Sequence, residues 1–266
     1  MRSWSQITTD FLDILAKTAK ETIDSGYYNS LSGTNSSSLG LKEAILKAEK
    51  APVITEIKAA SPSAGTIRKN VNASQVATSM EKGGAVGLSV LTEPKHFNGS
   101  LQSLVNARRA VKLPILMKDI ILSSVQLEAA VKAGANTALL IMALFDRGYC
   151  ECSVHKMITR AHSQGLEALL EAHTADEFRS ASKTDADLIG INNRNLATLK
   201  IDLKVTKEIL EINPPKDKPV VSESGITTPN DLRFLRKCGA DAFLIGSAVM
   251  IANNIEEKVR EFVSAL

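Results

Sequence analysis

The chain has 266 residues, of which 44% are hydrophobic and 23% are charged, and this composition is typical of a soluble globular protein. Its formal net charge of +3 comes from scattered lysines and arginines, whereas a nucleic-acid-binding face needs them clustered. No run of about 18 apolar residues is present, so we expect no membrane-spanning helix. The N-terminus has no apolar secretion signal either, and we therefore expect a cytoplasmic protein.

The three cysteines, Cys150, Cys152 and Cys238, do not make a disulfide framework. Cys150, Cys152 and His155 are close in sequence and resemble part of a metal site. One short cluster without a distant fourth ligand rarely completes a tetrahedral site. We therefore expect no bound metal.

The first 50 residues predict a helical extension that precedes the main domain. An amphipathic helix is predicted from Trp4 to Ser25, with Phe11, Ile14 and Leu15 on its apolar stripe. Residues 26–40 are rich in serine, asparagine and glycine, which is typical of a loop. A second short helix is predicted over residues 41–49.

From residue 51 to residue 266, short apolar runs alternate with helical patterns. The candidate strands cover residues 53–58, 86–91, 115–118, 137–142, 166–171, 187–192, 219–223 and 241–245. The candidate helices cover residues 74–83, 100–111, 123–133, 154–164, 175–182, 204–212 and 229–238, and an eighth follows Gly246. Strands that alternate with helices run parallel. Because neither a dinucleotide-binding glycine motif nor a P-loop is present, the pattern favours an α/β fold, a single-domain (β/α)8 TIM barrel.

A helix-ending glycine motif recurs before several of these strands. It reads Lys82-Gly-Gly-Ala85, Lys132-Ala-Gly-Ala135 and Lys237-Cys-Gly-Ala240, with a looser copy at 163–166. Glycine suits the left-handed conformation that ends many helices. The motif therefore supports the count of repeated units.

In such barrels the active site lies at the C-terminal ends of the strands, and polar residues follow nearly every apolar run. In the first strand, alternation places Ile54, Glu56 and Lys58 on the inner face. Buried charges of this kind either pair with each other or wait for a charged ligand. A structural ion pair is the alternative to a catalytic one.

Three further charged residues end later strands. Lys118 faces inward with Leu116, and apolar surroundings would favour its neutral form, which would suit it to donate a proton near neutral pH. The alternative is a lysine that extends to solvent at the barrel rim. Glu171 can serve as a base or as a counter-charge, and Glu223 can equally be a structural partner of Lys58 or of Lys118.

Small residues follow the last two strands, at Ser224-Gly225 and at Gly246-Ser247. They allow backbone N–H groups to approach an anion closely. Many barrels bind phosphate after their seventh and eighth strands. The two pairs together predict a phosphate site.

With these residues assembled, the sequence resembles the indole-3-glycerol phosphate synthase family of tryptophan biosynthesis. The motifs that carry the resemblance are Glu56-Ile-Lys58 with Ser61-Pro-Ser63, Leu91-Thr-Glu93 with Phe97-Asn-Gly-Ser100, Leu116-Met-Lys118-Asp119, Glu171, Gly190-Ile-Asn192-Asn-Arg194, Glu223-Ser-Gly-Ile226 and Ile245-Gly-Ser247. The resemblance implies a lyase that converts 1-(2-carboxyphenylamino)-1-deoxyribulose 5-phosphate to indole-3-glycerol phosphate, with loss of carbon dioxide and water. It implies no metal and no organic cofactor, and a monomer or weak homo-oligomer whose partner is this small substrate rather than nucleic acid or membrane.

The resemblance also implies roles for individual residues. Lys118 would be the general acid, Lys58 would hold the substrate carboxylate, and Glu56 would orient Lys58. Glu171, with Asn192, would assist proton movement during dehydration. Which lysine delivers the second proton stays open. Phosphate would be held by Ser61, Ser224, Gly225, Gly246 and Ser247, and the site would be lined by Phe97, Arg194 and Glu223.

One position departs from the family, because Ala59 and Ala60 stand where a basic residue usually follows the first-strand lysine. The protein would then bind the phosphate or the carboxylate more weakly, or another cation would take the place of the missing basic residue. Two alternatives are another phosphate-binding barrel, such as phosphoribosylanthranilate isomerase, and a barrel that only binds sugar phosphates. The first needs a cysteine or aspartate acid–base pair at strand ends, and the second has no need of inward-facing Lys118 and Glu171.

Overall fold

Eight parallel strands close into a barrel in the computed structural model, which describes residues 10–31, 33, 39–61, 65–68, 71–214 and 217–266. Each strand pairs with its two neighbours in chain order, and the last strand pairs with the first, with Val53 opposite Phe243. The barrel strands are β1 (Val53–Ile57), β2 (Gly87–Leu91), β3 (Ile115–Lys118), β4 (Thr137–Ile141), β5 (Glu167–Ala172), β6 (Leu188–Asn192), β7 (Val220–Glu223) and β8 (Ala242–Ile245). The predicted (β/α)8 fold is confirmed.

Two helices precede β1, and the others follow the strands and cover the outside of the barrel. They are α1 (Phe11–Asp24), α2 (Leu41–Leu46), α3 (Ala73–Lys82), α4 (Leu101–Ala110), α5 (Ser124–Ala133), α6 (Met142–Asp146), α7 (Val154–Ser163), α8 (Ala175–Ala181), α9 (Lys204–Ile212), α10 (Pro229–Lys237), α11 (Ser247–Met250) and α12 (Ile255–Val263). Among the described residues, no helix combines the length and the apolar character that crossing a membrane requires. The repeated glycine motif ends helices as predicted, with φ of +87° at Gly134 and +106° at Gly239.

Two apolar layers result from the alternation of side chains along the strands. Outward residues such as Met117, Leu140 and Phe243 are buried against the helices. Inward residues fill the barrel interior, among them Ile54, Leu116, Leu139, Leu169, Val221 and Leu244. The same inward face turns polar at the C-terminal ends of β1, β3, β5, β6 and β7, where its side chains line a cavity.

The N-terminal extension uses its two helices at opposite ends of the barrel. In α1, Leu12, Leu15, Ala16 and Ala19 are buried. The predicted stripe was wrong at Ile14, which is 41% exposed, because the buried face of α1 is turned away from that position. The predicted first turns of this helix, including Trp4, lie outside the described residues. The second helix, α2, lies at the opposite end, where its first backbone N–H groups contact Glu167 at the start of β5.

Several short elements were not predicted. A hairpin of two-residue strands, Ala60–Ser61 and Gly65–Thr66, follows β1. A 3-10 turn lies at Tyr27–Asn29, and α6 follows β4 directly. All of these are shorter than the windows in which a period can be recognised.

Candidate active site

A cavity of about 190 Å³ opens at the C-terminal ends of the strands. The predicted site residues that line it are Glu56, Lys58, Phe97, Lys118, Glu171, Asn192, Arg194, Glu223, Ser224, Gly225, Gly246 and Ser247. The side chain of Ser61, like Pro62 and Ser63, lies outside the part of the chain that the structure describes. Residues spread over nearly 200 positions of sequence are thus brought to one cavity.

The first charged pair comes from β1. Lys58 Nζ lies 2.7 Å from Glu56 Oε2, and both side chains are nearly buried. Gly246 lies against this pair, and a Cβ atom at position 246 would collide with the Glu56 carboxylate. A glycine is therefore needed there for β8 to approach the pair so closely.

Lys118 is held between two carboxylates. Its Nζ lies 3.1 Å from Glu171 Oε2 and 3.3 Å from Glu223 Oε2. Burial lowers the pKa of Lys118, but Glu171, Glu223 and Glu56 together raise it well above its usual value. The expectation that its neutral form is favoured was wrong, because apolar surroundings were considered without these carboxylates. Lys118 is an ammonium ion, which can donate a proton or bind an anion.

Glu223 is the partner of Lys118 rather than of Lys58, which decides between the two alternatives. Burial and the nearby charge of Glu171 raise the pKa of Glu223 to about 8, against the opposing effect of Lys118. Neither of its carboxylate oxygens makes a hydrogen bond. The ammonium group of Lys118 thus contacts two carboxylates, and Glu223 holds a proton more readily than Glu171 does.

Glu171 is kept ionised instead. Burial raises the pKa of Glu171, but Lys118, His173 and a hydrogen bond from Asn192 lower it overall. Asn192 is itself oriented by the backbone N–H of Arg194, which donates to its Oδ1 at 3.0 Å. His173 was missed by sequence reasoning, and its Nε2 lies 3.2 Å from Glu171 Oε1. The spacing Glu-x-His at the end of a strand, which puts both side chains on one face, is the signal that could have found it.

Asp119 follows Lys118 but is satisfied within the protein. Its carboxylate accepts hydrogen bonds from the Tyr28 hydroxyl at 3.0 Å, from the Ile120 N–H at 2.7 Å, and from Thr92. Burial nevertheless raises its pKa to about 6. These bonds tie the end of β3 to the N-terminal extension beside Lys118.

Glu93 plays a similar structural part at the end of β2. It accepts hydrogen bonds from the backbone N–H groups of Lys95, His96 and Phe97, at distances of 2.9, 2.7 and 3.1 Å. It therefore holds the loop that carries Phe97 to the cavity.

The loop after β7 makes a tight turn at the edge of the cavity. Ser224 and Gly225 both have positive φ, of +67° and +87°. Positive φ at a serine is strained by about 1–3 kcal/mol, and such strain is concentrated at functional sites. Gly246 and Ser247 begin α11 on the same side of the cavity.

An apolar wall completes the cavity. It includes Phe11 and Leu15 of α1, together with Leu196, Leu199 and Leu244. Sequence reasoning placed α1 next to the barrel without predicting that it lines the site. Apolar walls with a few converging polar groups are typical of small-molecule sites, and this wall can contact a flat ring.

Sequence comparisons with known proteins all point to one family. The sequence model of the family described as indole-3-glycerol phosphate synthase matches residues 7–262. A protein of that name from Methanocaldococcus jannaschii is 46% identical over 229 residues, covering 85% of this chain and 83% of that protein. Another, from Caldanaerobacter subterraneus, is 38% identical over 239 residues and covers 89% of each chain.

Two solved structures resemble the fold at low sequence identity. A thiamine phosphate pyrophosphorylase from Pyrococcus furiosus superimposes with a TM-score of 0.59 at 16% identity, covering 83% of this chain and 96% of that one. An N-acetylmannosamine-6-phosphate 2-epimerase from Clostridium perfringens gives 0.60 at 15% identity, covering 81% and 93%. At these identities the likeness concerns the barrel alone.

Proposed function

Since this chain belongs to the indole-3-glycerol phosphate synthase family, we propose how its own residues carry out the family's reaction. The chain is a carboxy-lyase of tryptophan biosynthesis. It closes the ring of 1-(2-carboxyphenylamino)-1-deoxyribulose 5-phosphate and releases carbon dioxide and water, which gives indole-3-glycerol phosphate. The observation that carries the assignment of roles is the convergence of Lys58, Lys118 and Glu171 on one cavity.

Lys118 is the general acid of ring closure in this proposal. When the aromatic ring attacks the ribulose carbonyl, negative charge develops on the carbonyl oxygen. A buried ammonium ion beside that oxygen stabilises the charge and can supply the proton. The two carboxylates around Nζ support this role, because they keep the proton on Lys118 until the substrate needs it.

Lys58 holds the substrate carboxylate, and Glu56 orients Lys58 through their 2.7 Å contact. Loss of carbon dioxide then restores the aromatic system. Glu171, aided by Asn192, accepts a proton during the dehydration that follows, a role supported by the groups that keep it ionised. Lys58 can protonate the leaving hydroxyl group directly, and Lys118 can do so once it has regained a proton from solvent after ring closure.

The phosphate end of the substrate lies at Ser61, Ser224, Gly225, Gly246 and Ser247 in this proposal, with Phe97, Arg194 and Glu223 along the sides. The strained turn after β7 supports it, since its backbone can turn N–H groups toward an anion. Ala59 and Ala60 leave no basic residue directly after Lys58. Arg194, half-buried in the wall of the cavity, is the cation that can compensate.

We also propose that residues 1–266 act as one domain, as a monomer or weak homo-oligomer in the cytoplasm. Contacts from α1 and α2 to both ends of the barrel support one domain. The three free cysteines are compatible with a reducing compartment.

The test is an assay for indole fluorescence with the anthranilate-derived ribulose phosphate as substrate. We expect turnover by the wild-type protein and no measurable turnover of phosphoribosylanthranilate, the substrate of the rival isomerase. The three cysteines lie outside the cavity, which already disfavours that rival. Turnover of phosphoribosylanthranilate alone, or binding without turnover, would overturn the proposal.

A further inference from the structure

His173 lies between two carboxylates just behind the candidate site. Its Nε2 is 3.2 Å from Glu171 Oε1, and its Nδ1 is 3.5 Å from Glu177 Oε2. Its side chain is 10% exposed, Glu171 is 2% exposed and Glu177 is 16% exposed. The three side chains therefore form a line that runs from the cavity toward the surface.

Both nitrogens of the ring face an acceptor, and this decides the protonation state. A neutral imidazole has one N–H and one lone pair, so one of its nitrogens would face a carboxylate without a proton between them. An imidazolium carries a proton on both nitrogens and meets both carboxylates favourably. Neither contact meets the geometry of a full hydrogen bond, so attraction between opposite charges is the main interaction.

Glu177 is fixed in place independently of this attraction. Its Oε2 accepts a hydrogen bond of 2.7 Å from the backbone N–H of His173. Glu177 lies in the first turn of α8, so the strand end and the following helix hold the two partners of the ring. The arrangement is built by the backbone rather than by mobile surface side chains.

We propose that His173 is a positioning residue which, as an imidazolium between Glu171 and Glu177, holds the Glu171 carboxylate ionised and oriented for its proton transfer. The inference rests on the proposed function and adds a residue that does not line the cavity. His173 acts through Glu171 and does not itself contact substrate.

The surrounding charges agree with this role. Burial lowers the pKa of His173, but Glu171 and Glu177 raise it to about 9. On the other side of Glu171 stand Lys118 and the neutral amide of Asn192. Asp146 of α6 adds negative charge near Glu177. Glu171 is thus held ionised from two sides, and the removal of one positive charge raises its pKa.

The first test is His173→Gln, which keeps a polar side chain of similar size and removes the charge. We expect kcat to fall about tenfold at pH 7, because Glu171 loses the imidazolium that orients it. KM should change little, because ground-state binding does not use His173. We also expect the acidic limb of the pH profile to move up by roughly one pH unit. A purely structural residue would lower kcat without moving that limb.

Glu177→Gln provides a milder second variant, since its amide oxygen can still accept the backbone hydrogen bond. The matched control is His162→Gln, whose ring pairs with Asp187 at 2.8 Å on the outer surface. We expect the control to match wild type in kcat and in pH profile. Wild-type kcat and an unmoved acidic limb in His173→Gln would overturn the proposal.

A nuclear magnetic resonance titration separates this inference from the proposed function, because it needs no substrate. The chain has four histidines, so the signal that His173→Gln removes can be assigned directly. We expect this imidazole to stay protonated through neutral pH, and to lose its proton at lower pH in Glu177→Gln. An imidazole that is neutral at pH 7 would overturn the inference even in an active enzyme. A protonated imidazole in a protein without synthase activity would instead overturn the proposed function.

Discussion

The two ends of β5 each carry an inward-facing glutamate, and the two glutamates have different kinds of partner. Glu167 begins the strand and Glu171 lies near its end, four residues further on the same face. Both are largely buried, and both therefore need partners. The nature of those partners distinguishes a structural carboxylate from one that is available for chemistry.

At the N-terminal end, the fold supplies partners for Glu167. Its Oε2 accepts hydrogen bonds from the backbone N–H groups of Leu41 and Lys42, at 2.6 and 3.2 Å, and from the Thr137 hydroxyl at 3.2 Å. The carboxylate thus caps α2, which covers this end of the barrel. Negative charge at a helix N-terminus is favourable, and nothing about it requires a ligand.

At the C-terminal end, the partners are charged side chains that surround a cavity. Glu171 contacts Lys118 and His173, and among the described residues the carboxylate of neighbouring Glu223 accepts no hydrogen bond and pairs only with the charge of Lys118. The charged groups at this end lie close together, but they are not all neutralised by hydrogen bonds within the protein. The comparison indicates that substitutions at this end reduce rate and binding, whereas substitutions at the other end reduce stability.

The largest expected effect comes from Lys118→Ala. We expect kcat to fall by at least about 10²-fold, because the proposed general acid is lost. Phosphate binding, measured by calorimetry with inorganic phosphate, should survive. Lys132→Ala on the exposed face of α5 is the matched control and should retain wild-type turnover. Unchanged turnover in Lys118→Ala would remove this lysine from the mechanism.

Ser247→Glu tests the proposed phosphate end of the same cavity. A carboxylate at the start of α11 would repel the substrate phosphate, and we expect KM to rise by roughly 10-fold or more. Ser247→Ala controls for loss of the hydroxyl and should raise KM much less. If Ser247→Glu leaves KM unaltered, the phosphate is bound elsewhere.

Glu167→Ala tests the opposite end of β5. The variant leaves two backbone N–H groups of α2 without their acceptor, and we expect the free energy of unfolding to fall by about 2 kcal/mol. Chemical denaturation measures this change, and kcat should stay within about twofold of wild type. Glu128→Ala on the exposed face of α5 is the control and should change stability by less than about 0.5 kcal/mol. A large loss of kcat with unchanged stability would reverse the comparison.

The order of the elements was predictable from sequence because each barrel strand is an apolar run, and helix-ending glycines precede several of these runs. The inward direction of Glu56, Lys58 and Lys118 followed from alternation alone. The charge state of Lys118 did not follow, because it depends on Glu171 and Glu223, which lie 53 and 105 positions further along the chain. No local pattern states which carboxylates will meet a given lysine.

The exposure of Ile14 and the contribution of α1 to the cavity were missed for a related reason. An amphipathic helix shows that it has an apolar face, but a broad apolar stripe leaves the exact contact side open. The contact is set by the partner surface, which here includes the mouth of the cavity at Phe11 and Leu15. The hairpin after β1 is too short to produce any periodic signal.

Arg147→Ala refines the comparison, because it removes a satisfied ion cluster at the active-site end. Arg147 donates hydrogen bonds to Asp10 at 2.8 and 2.7 Å and to Asp13 at 2.6 Å, and so connects the start of α1 to the loop after α6. Its side chain is 34% exposed, so solvent screens the attraction, and we expect a loss of about 1 kcal/mol or less in the free energy of unfolding.

The loss caused by Arg147→Ala should shrink at high salt, which denaturation in 0.1 M and 1 M sodium chloride would reveal. Lys20→Ala, which removes a more exposed pair with Asp24 on the same helix, is the control and should have a smaller effect. Turnover should remain near wild type, since the cluster has its partners within the protein. If Arg147→Ala instead loses as much kcat as Lys118→Ala, the comparison fails. Location at the C-terminal end of the barrel would then decide which charged groups are functional, whether or not they have partners within the protein.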